Sequence, residues 1–115
     1  MLLGASGQLG SFLLRRYAND SQLSWVGYSR EQLDIKNRSQ LEDILDKEKP
    51  FAVVNTAAYT NVDRAETEKQ LAWEVNAEAP SLIAKACNNR SVVLIHISTD
   101  YVFNGENGGT KERPY

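Results

Sequence analysis

Three glycines near the start of the chain, Gly4, Gly7 and Gly10, have the G-x-x-G-x-x-G spacing of a phosphate-binding loop. In such a loop one glycine permits a tight turn, one lets the backbone approach a pyrophosphate, and one allows close helix–strand packing. The N–H groups and the positive end of the following helix then favour the phosphates. Glycine-rich turns also serve purely as turns, so the spacing indicates a dinucleotide only between a strand and an amphipathic helix.

A basic side chain follows the second predicted strand, where the adenosine ribose of a dinucleotide is recognised. Sites that prefer NAD commonly carry Asp or Glu there, about 20 residues beyond the glycines, to bind the ribose 2′-OH. This sequence has Tyr28-Ser29-Arg30 instead. The Arg30 guanidinium is suited to the 2′-phosphate of NADP, which favours NADP(H), with NADH as the alternative. Arg30 can also be a solvated surface arginine that Glu31 partly neutralises.

Four other residues capable of chemistry have simpler interpretations. Asp63 and Glu66 lie one helical turn apart, as an acid–base pair would, but acidic groups at a helix start also complement the helix dipole. His96 is the single histidine and lies in an apolar strand, which favours a hydrogen-bonded core residue over a base or metal ligand. Cys87, the single cysteine, is expected to be a small buried hydrophobe. No metal is expected.

Alternating strands and helices are predicted to position these residues. The predicted strands are Met1–Leu3, Leu23–Tyr28, Phe51–Asn55 and Ser91–Ile97. The first predicted helix ends at Asn19-Asp20-Ser21 and buries a stripe made of Leu9, Phe12, Leu13 and Tyr17. The second begins with the capping-box sequence Ser39-Gln40-Leu41-Glu42 and ends at Pro50, and the third covers Val62 to Asn88, with a bend or a new first turn at Pro80.

This order of elements predicts an α/β fold, a Rossmann-like doubly wound parallel sheet of about four strands. The third strand is almost continuously apolar, as expected of a strand that is covered on both faces, and the fourth is again nearly continuous in apolar residues. A length of 115 residues suits one domain, and a net charge of −2 offers no basic excess for nucleic acid or an anionic membrane. No apolar run is long enough to span a bilayer. With one cysteine, a cytoplasmic location is expected.

With these elements in place, the chain resembles the extended short-chain dehydrogenase/reductase superfamily, and within it the dTDP-4-dehydrorhamnose reductase family. The resemblance runs in family order across essentially the whole chain. The glycine loop is common to the superfamily, whereas the Ala-Ala-Tyr-Thr and Ser-Thr-Asp-Tyr sequences are specific to the reductases. The matching segments are Gly4–Gly10, Leu33-Asp34-Ile35, Asn55–Thr60, Val62–Glu66, Val75-Asn76-Ala77 and His96–Phe103.

The resemblance implies a cofactor-binding role for most of these residues. It places Gln8 and Leu9 beside the pyrophosphate, together with the three glycines, and it places Asp34 and Ile35 beside the adenine. The other implied cofactor residues are Ser29, Arg30, Ala57, Ala58, Thr60 and Asn76. For three residues an alternative stays open: Asp34 as a turn residue, Tyr59 as cleft lining or simple packing, and Asn76 as a structural hydrogen-bonding residue or a helix kink.

The resemblance also implies catalysis at the end of the fourth strand. It assigns to Thr99 the hydroxyl that hydrogen-bonds the substrate carbonyl, and it places Asp100 and Tyr101 near the sugar of a sugar-nucleotide substrate. Such a donor assists a developing alkoxide electrostatically. From the residues alone, a serine/threonine turn at a strand end is the alternative.

The chain departs from the family pattern in its proton donor. The family requires Tyr-x-x-x-Lys, but Tyr17, Tyr28, Tyr59 and Tyr101 are followed four residues later by Ser21, Gln32, Asp63 and Gly105, and Tyr115 is the last residue. Residues 1–115 are therefore expected to be the NAD(P)-binding part of a longer reductase, without its later strands and substrate domain, and inactive alone. The parent reaction would be reduction by NADPH of the 4-keto group of dTDP-4-dehydrorhamnose, which gives dTDP-L-rhamnose.

Two other functions are consistent with the same resemblance. One is a non-catalytic NADP-binding regulatory subunit of the methionine adenosyltransferase type, and the other is a sugar-nucleotide epimerase or dehydratase. A homodimer is compatible with the family. Its magnesium-linked dimer contact is not supported, because Phe12 stands where some members carry glutamate.

Overall fold

The computed structural model describes residues 1–102, which form a parallel four-stranded sheet with helices on both faces. The strands are β1 (Leu2–Leu3), β2 (Gly27–Tyr28), β3 (Ala52–Asn55) and β4 (Val93–His96). The α-helices are α1 (Gln8–Arg16), α2 (Arg38–Glu48), α3 (Val62–Ala65), α4 (Lys69–Trp73) and α5 (Ala79–Asn88). A π-helical turn (Glu74–Glu78) joins α4 to α5, and a 3₁₀ turn (Asp100–Val102) follows β4.

The strand order β2-β1-β3-β4 confirms the predicted Rossmann-like fold. The chain runs outward from β1 to β2, returns across the sheet to β3, and continues outward in the opposite direction to β4. The order therefore reverses between β1 and β3, and open α/β sheets bind ligands outside the carboxyl ends of the strands at such a point.

The two faces of the sheet are covered unequally. Alternate residues of a strand point to opposite faces, so Leu3 and Val53 share one face, where α2 and α5 pack against each other. The core lies there and contains Met1, Leu3, Leu33, Ile35, Leu41, Leu45, Val53, Ala79, Ile83, Ala86 and Cys87. On the other face α1 covers β2 through Leu14, whose side chain lies against Gly27.

One face of the fourth strand is largely uncovered, although its sequence is almost continuously apolar. Val93 and Ile95 point to the α1 side of the sheet and are 55% and 49% exposed, because α1 lies over β1 and β2. Among the described residues, no helix reaches that part of the face. The predicted buried stripe of α1 is wrong at two positions, because Leu9 and Phe12 are 40% and 54% exposed, whereas Gly10 is buried against the β1 turn.

Two element boundaries differ from the predictions for local reasons. The second strand is limited to Gly27–Tyr28, since the Asp20 carboxylate accepts hydrogen bonds from the backbone of Gln22 and Leu23 in the preceding turn. The α2 N-cap is Asn37, whose Oδ1 accepts from Gln40 N at 3.1 Å, so the capping box at Ser39 does not form. Its C-cap, Lys49, is left-handed immediately before Pro50, which cannot continue the helix.

The long helix predicted from Val62 to Asn88 is broken into segments. A short α3 is capped by the Asn61 side chain, and the chain becomes helical again at Lys69. Pro80 lies in the first turn of α5, which confirms the predicted alternative of a new first turn at this proline. Proline has no N–H to donate to the carbonyl of Asn76, and its ring crowds that carbonyl, so the wider π-helical turn accommodates it.

Candidate functional site

A cleft of about 240 Å³ opens at the point where the strand order reverses. Its walls come from the glycine turn after β1, the segment after β2, and the segment after β3. The lining residues are Gly4, Ser6, Gly7, Ser29, Arg30, Leu33, Asp34, Ile35, Lys36, Thr56, Ala57, Ala58, Tyr59, Leu71 and Val75.

The glycine turn depends on the absence of side chains at two positions. Gly4 has φ +82°, a left-handed conformation that favours glycine, and a Cβ there would lie 2.7 Å from Ala57 N. A Cβ on Gly10 would lie 2.2 Å from the Gly4 carbonyl oxygen. The backbone N–H groups of Gly4 and Ala5 donate to Tyr28 O at 3.1 and 3.0 Å, which ties the turn to the end of β2.

Gly7 presents the backbone of this turn to the cleft. It is the N-cap of α1 and has no side chain to cap the first N–H groups of that helix. A Cβ built on Gly7 has only one neighbour within 4 Å, the Gly4 carbonyl oxygen at 3.3 Å. The start of α1 therefore combines open space with unsatisfied N–H groups, the arrangement that binds anions.

The segment after β3 is held by hydrogen bonds from two directions. Thr56 Oγ1 donates to Leu3 O at 2.8 Å, which joins the end of β3 to β1. On the other side, the Asn76 side chain accepts from Tyr59 N at 2.8 Å and donates to Tyr59 O at 3.0 Å. Asn76 lies in the π-helical turn, so both alternatives considered for it, structural hydrogen bonding and a helix irregularity, are observed.

Tyr59 is further restrained through its hydroxyl, which donates to Glu68 Oε2 at 2.7 Å. This hydrogen bond to a carboxylate raises the pKa of Tyr59 and lowers the pKa of Glu68. Glu68 also accepts from Arg64, and the positive charge of Arg30 contributes to its lowered pKa. Tyr59 therefore lines the cleft with its phenol already hydrogen-bonded.

The segment after β2 carries both signs of charge. Ser29 and Arg30 line the cleft, as predicted from their position, and Arg30 is exposed. Ser29 Oγ donates to Glu31 Oε2 at 2.6 Å. That hydrogen bond is the main reason why the pKa of Glu31 is lowered, and the charge of Arg30 adds to it.

The adenine side predicted from the resemblance borders a second depression. Asp34 and Ile35 line the cleft, and Asp34 Oδ1 also accepts from Lys36 N at 3.0 Å, so Asp34 is both cleft lining and a turn residue. Lys36 Nζ lies 3.1 Å from Glu74 Oε2, an ion pair that joins this segment to the π-helical turn. The depression, of about 590 Å³, shares Asp34 and Lys36 with the cleft. It is larger but includes no part of the glycine turn, so the cleft is the better candidate site.

The end of β4 is connected to the cleft wall through a buried amide. Asn55 is fully buried, its Oδ1 accepts from Ala57 N at 3.0 Å, and its Nδ2 lies 3.1 Å from His96 Nδ1. His96 is hydrogen-bonded as predicted, but the prediction of a core residue is wrong because it is exposed at the end of an edge strand. Thr99 is exposed beyond it, and its Oγ1 donates to Asp100 Oδ1 at 3.3 Å.

The structure brings only part of the predicted set together. The predicted cofactor residues that line the cleft are Gly4, Gly7, Ser29, Arg30, Asp34, Ile35, Ala57 and Ala58. Those that do not line it are Gln8, Leu9, Gly10, Thr60 and Asn76, and the predicted residues Thr99 and Asp100 also lie outside its lining. Tyr101 belongs to the 3₁₀ turn, and residues beyond Val102 lie outside the described part of the chain. The ligand roles of all these residues stay predictions.

Six cleft residues were assigned no role from the sequence: Ser6, Leu33, Lys36, Thr56, Leu71 and Val75. Thr56 lies inside the Asn-Thr-Ala-Ala-Tyr-Thr sequence, and its position directly after an apolar strand was an available signal. Leu71 and Val75 are four residues apart, a spacing that places both on one side of a helix.

The remaining candidates lie away from the cleft. Asp63 and Glu66 are exposed on and just after α3 and do not line it, which favours a solvated helix start. Cys87 is buried, as predicted. Within residues 1–102 no group of three or more His, Cys, Asp or Glu residues is placed to hold a metal ion. In the same range no helix combines the length and apolar character needed to cross a membrane.

Known proteins are similar to this chain over all or most of its length. It is 41% identical to a dTDP-4-dehydrorhamnose reductase of Mycobacterium tuberculosis over 115 residues, which are 100% of this chain and 37% of the relative. It is 43% identical over 108 residues to a probable dTDP-4,6-dihydroxy-2-methyloxan-3-one 4-ketoreductase of Streptomyces antibioticus, covering 92% of this chain and 36% of that protein. The chain thus spans little more than a third of these relatives.

A solved structure supports the same relationship. The crystal structure of dTDP-4-dehydrorhamnose reductase from Bacillus anthracis in complex with NADP superposes with a TM-score of 0.84 at 37% identity, covering 92% of this chain and 38% of that one. The family model described as the RmlD substrate binding domain matches residues 1–115. Since that model matches the chain from end to end, the chain belongs to the RmlD family.

Proposed function

We propose that residues 1–115 form the NADP(H)-binding part of a cytoplasmic reductase that converts the 4-keto group of dTDP-4-dehydrorhamnose to the alcohol of dTDP-L-rhamnose. One observation carries the proposal: the cleft at the sheet reversal point is lined both by the glycine turn, through Gly4 and Gly7, and by Arg30. The similarity to a reductase crystallised with NADP supports the identity of the cofactor.

The residues present fit a dinucleotide phosphate. Gly7 borders the cleft with open space where a side chain would stand, and the start of α1 adds N–H groups that suit a pyrophosphate. Two positively charged residues of the segment after β2 line the cleft, Arg30 and Lys36. Lys36 is ion-paired with Glu74, whereas the planar guanidinium of Arg30 suits a 2′-phosphate. A volume of about 240 Å³ is below the roughly 300 Å³ typical of small-molecule sites, so the described walls would enclose part of the cofactor.

The residues of this chain have separable tasks in the proposed reaction. When bound, NADPH supplies the hydride that reduces the sugar carbonyl. Ala57 and Ala58 keep the end of β3 free of bulky side chains, so that the nicotinamide ribose can approach the backbone. The Asn55 amide holds Ala57 N and contacts His96, so it joins the cofactor wall to the strand that leads to Thr99.

Thr99 would donate its hydroxyl hydrogen to the substrate carbonyl oxygen as negative charge develops there. Among the described residues its hydroxyl donates to the Asp100 carboxylate at 3.3 Å, and in the proposed reaction the substrate carbonyl oxygen would take the place of that acceptor. A hydrogen bond does not supply the proton that completes the alcohol, and Tyr17, Tyr28, Tyr59 and Tyr101 all lack a lysine four residues later. Turnover by the 115-residue chain alone is therefore not expected.

A binding measurement and a hybrid enzyme test the two halves of the proposal. Titration calorimetry of the chain with NADPH should show one site, and the absence of heat at millimolar NADPH contradicts cofactor binding. For the reaction, residues 1–115 would replace the matching segment of the Mycobacterium tuberculosis reductase, and oxidation of NADPH would be followed with dTDP-4-dehydrorhamnose. The hybrid should turn over, whereas a hybrid that binds NADPH without turnover contradicts the reductase assignment.

Thr99→Val in the hybrid tests the assigned hydroxyl. We expect kcat to fall about 100-fold to 1000-fold, the usual cost of removing a hydrogen-bond donor to a developing oxyanion, with NADPH affinity unchanged. Thr99→Ser keeps the hydroxyl and is the matched control. A Thr99→Val hybrid that keeps more than a third of the activity shows that this hydroxyl does not assist the reaction.

A further inference from the structure

The side chain of Ser29, a cleft residue, is hydrogen-bonded to the Glu31 carboxylate, which does not line the cleft. Ser29 lines the cleft beside Arg30, and its hydroxyl donates to Glu31 Oε2 at 2.6 Å. A serine hydroxyl has one hydrogen to donate and two lone pairs to accept with. In this structure that hydrogen is directed to Glu31, so Ser29 can only accept a hydrogen bond from a ligand.

The two forms of a dinucleotide make opposite demands on such a serine. A ribose 2′-OH can donate to the Ser29 oxygen and leave the bond to Glu31 intact. A 2′-phosphate is ionised at neutral pH and offers only acceptors, so it gains Ser29 as a partner only after the hydroxyl has left Glu31. The negative charge of Glu31 also opposes the phosphate, and Arg30 attracts it.

We infer that Glu31, acting through Ser29 and Arg30, is a specificity-determining residue that weakens binding of a 2′-phosphorylated dinucleotide relative to one with a free 2′-hydroxyl. The inference rests on the proposed function, since it concerns the same cleft. Arg30 does not act as an isolated cation there: its charge contributes to the lowered pKa of Glu31 and to that of Glu68. The cleft thus combines a basic group that selects the phosphate with an adjacent acidic group that opposes it.

The expected effect is moderate because Glu31 is fully exposed. In water of high dielectric constant and physiological salt, the repulsion between one carboxylate and a nearby dianion changes affinity by roughly threefold to tenfold. Removal of the Glu31 charge should therefore raise affinity for NADP⁺ by that factor. Affinity for NAD⁺ should stay unchanged or fall, because the 2′-OH has no need of a released serine hydrogen.

The experiment compares dissociation constants for NADP⁺ and NAD⁺ by titration calorimetry in the 115-residue chain and its variants. Glu31→Gln and Glu31→Ala should both raise the ratio of NADP⁺ to NAD⁺ affinity about threefold to tenfold, and 0.5 M salt should reduce the change. Asp43→Asn is the matched control, because it removes one exposed carboxylate from α2, away from the cleft lining. The ratio of NADP⁺ to NAD⁺ affinity in Asp43→Asn should equal that of the parent chain.

The ratio separates a role in specificity from a structural role, because a loss of folding weakens both nucleotides together. An unchanged ratio in both Glu31 variants, with both nucleotides bound, overturns the inference and leaves the proposed function standing. An equal rise in Asp43→Asn also overturns it, since the effect then belongs to net charge. Failure of the parent chain to bind either nucleotide refutes the proposed function itself.

Discussion

Gly10→Ala should destabilise the fold, although the same change stabilises most helices. The third residue of α1 is normally a site where alanine is preferred over glycine by about 1 kcal/mol. Here a Cβ would lie 2.2 Å from the Gly4 carbonyl oxygen and 3.0 Å from its carbonyl carbon. Ordinary contact begins at 3.4 Å, so α1 must move away from the β1 turn by about 1.2 Å, the difference between 3.4 and 2.2 Å.

Neither side of this contact can yield as a flexible side chain would. The Gly4 backbone is fixed by its own bond to Tyr28 O and by Ala57 behind it. Overpacking costs about 1–3 kcal/mol, and at a backbone contact we take the upper value. After subtraction of the helix-propensity gain, Gly10→Ala should lower the free energy of unfolding by about 2 kcal/mol.

Urea denaturation followed by circular dichroism measures this change, and Gly7→Ala in the same loop is the matched control. Gly7 has extended backbone angles that any residue adopts, and its Cβ would meet one atom at 3.3 Å, so a loss below about 1 kcal/mol is expected. Because Gly7 borders the cleft, Gly7→Ala should instead weaken NADPH binding at least tenfold. A Gly10→Ala chain within 0.5 kcal/mol of the parent refutes the argument that Gly10 is required by packing.

Two further predictions concern hydrogen bonds at the cleft and at the end of α2. Asn76→Asp keeps the acceptor for Tyr59 N but removes the donor to Tyr59 O, so the free energy of unfolding should fall by about 1–2 kcal/mol, and the affinity for NADPH should fall as the cleft wall loosens. Asn88→Asp on α5 is the control. Equal losses in both variants argue against a specific role of the Asn76–Tyr59 hydrogen bonds. At the end of α2, the Tyr28 hydroxyl donates to Glu48 Oε1 at 2.7 Å. Burial and this hydrogen bond raise the pKa of Tyr28 to about 12, and the same hydrogen bond lowers the pKa of Glu48 from its ordinary value of 4.5. A lowered carboxyl pKa contributes stability above pH 4.5 that is lost on acidification, so Tyr28→Phe should lower the melting temperature at pH 7 and converge with the parent chain near pH 3; a constant difference between pH 7 and pH 3 contradicts this assignment.

The fold could be predicted because its main signals are local. Apolar strands that alternate with helical patterns determine the parallel sheet, and Pro50 and Pro80 mark boundaries through their missing N–H groups. The extent to which helices cover each face of a strand could not be predicted in the same way. Val93 and Ile95 are as apolar as Val53, yet Val53 is fully buried and the other two are half exposed. The difference depends on which helices cross which part of each face, and this information lies in the connections and not in the strand itself.

For the site, the sequence predicts which residues lie at the cleft better than it predicts which side chains hydrogen-bond to each other. The strand ends place Gly4, Arg30 and Ala57 on one edge of the sheet, because parallel strands bring their carboxyl ends together. Hydrogen-bond partners are different, since Asn76 and Tyr59 are 17 residues apart and the amide reaches Tyr59 from the π-helical turn that precedes Pro80. Ser29 and Glu31 are two residues apart, but the sequence alone indicates only that Glu31 is a counter-charge to Arg30 and not that it accepts from the Ser29 hydroxyl. The orientation of one hydroxyl hydrogen changes that interpretation, because it determines whether Ser29 can donate to a phosphate or only accept from a ribose.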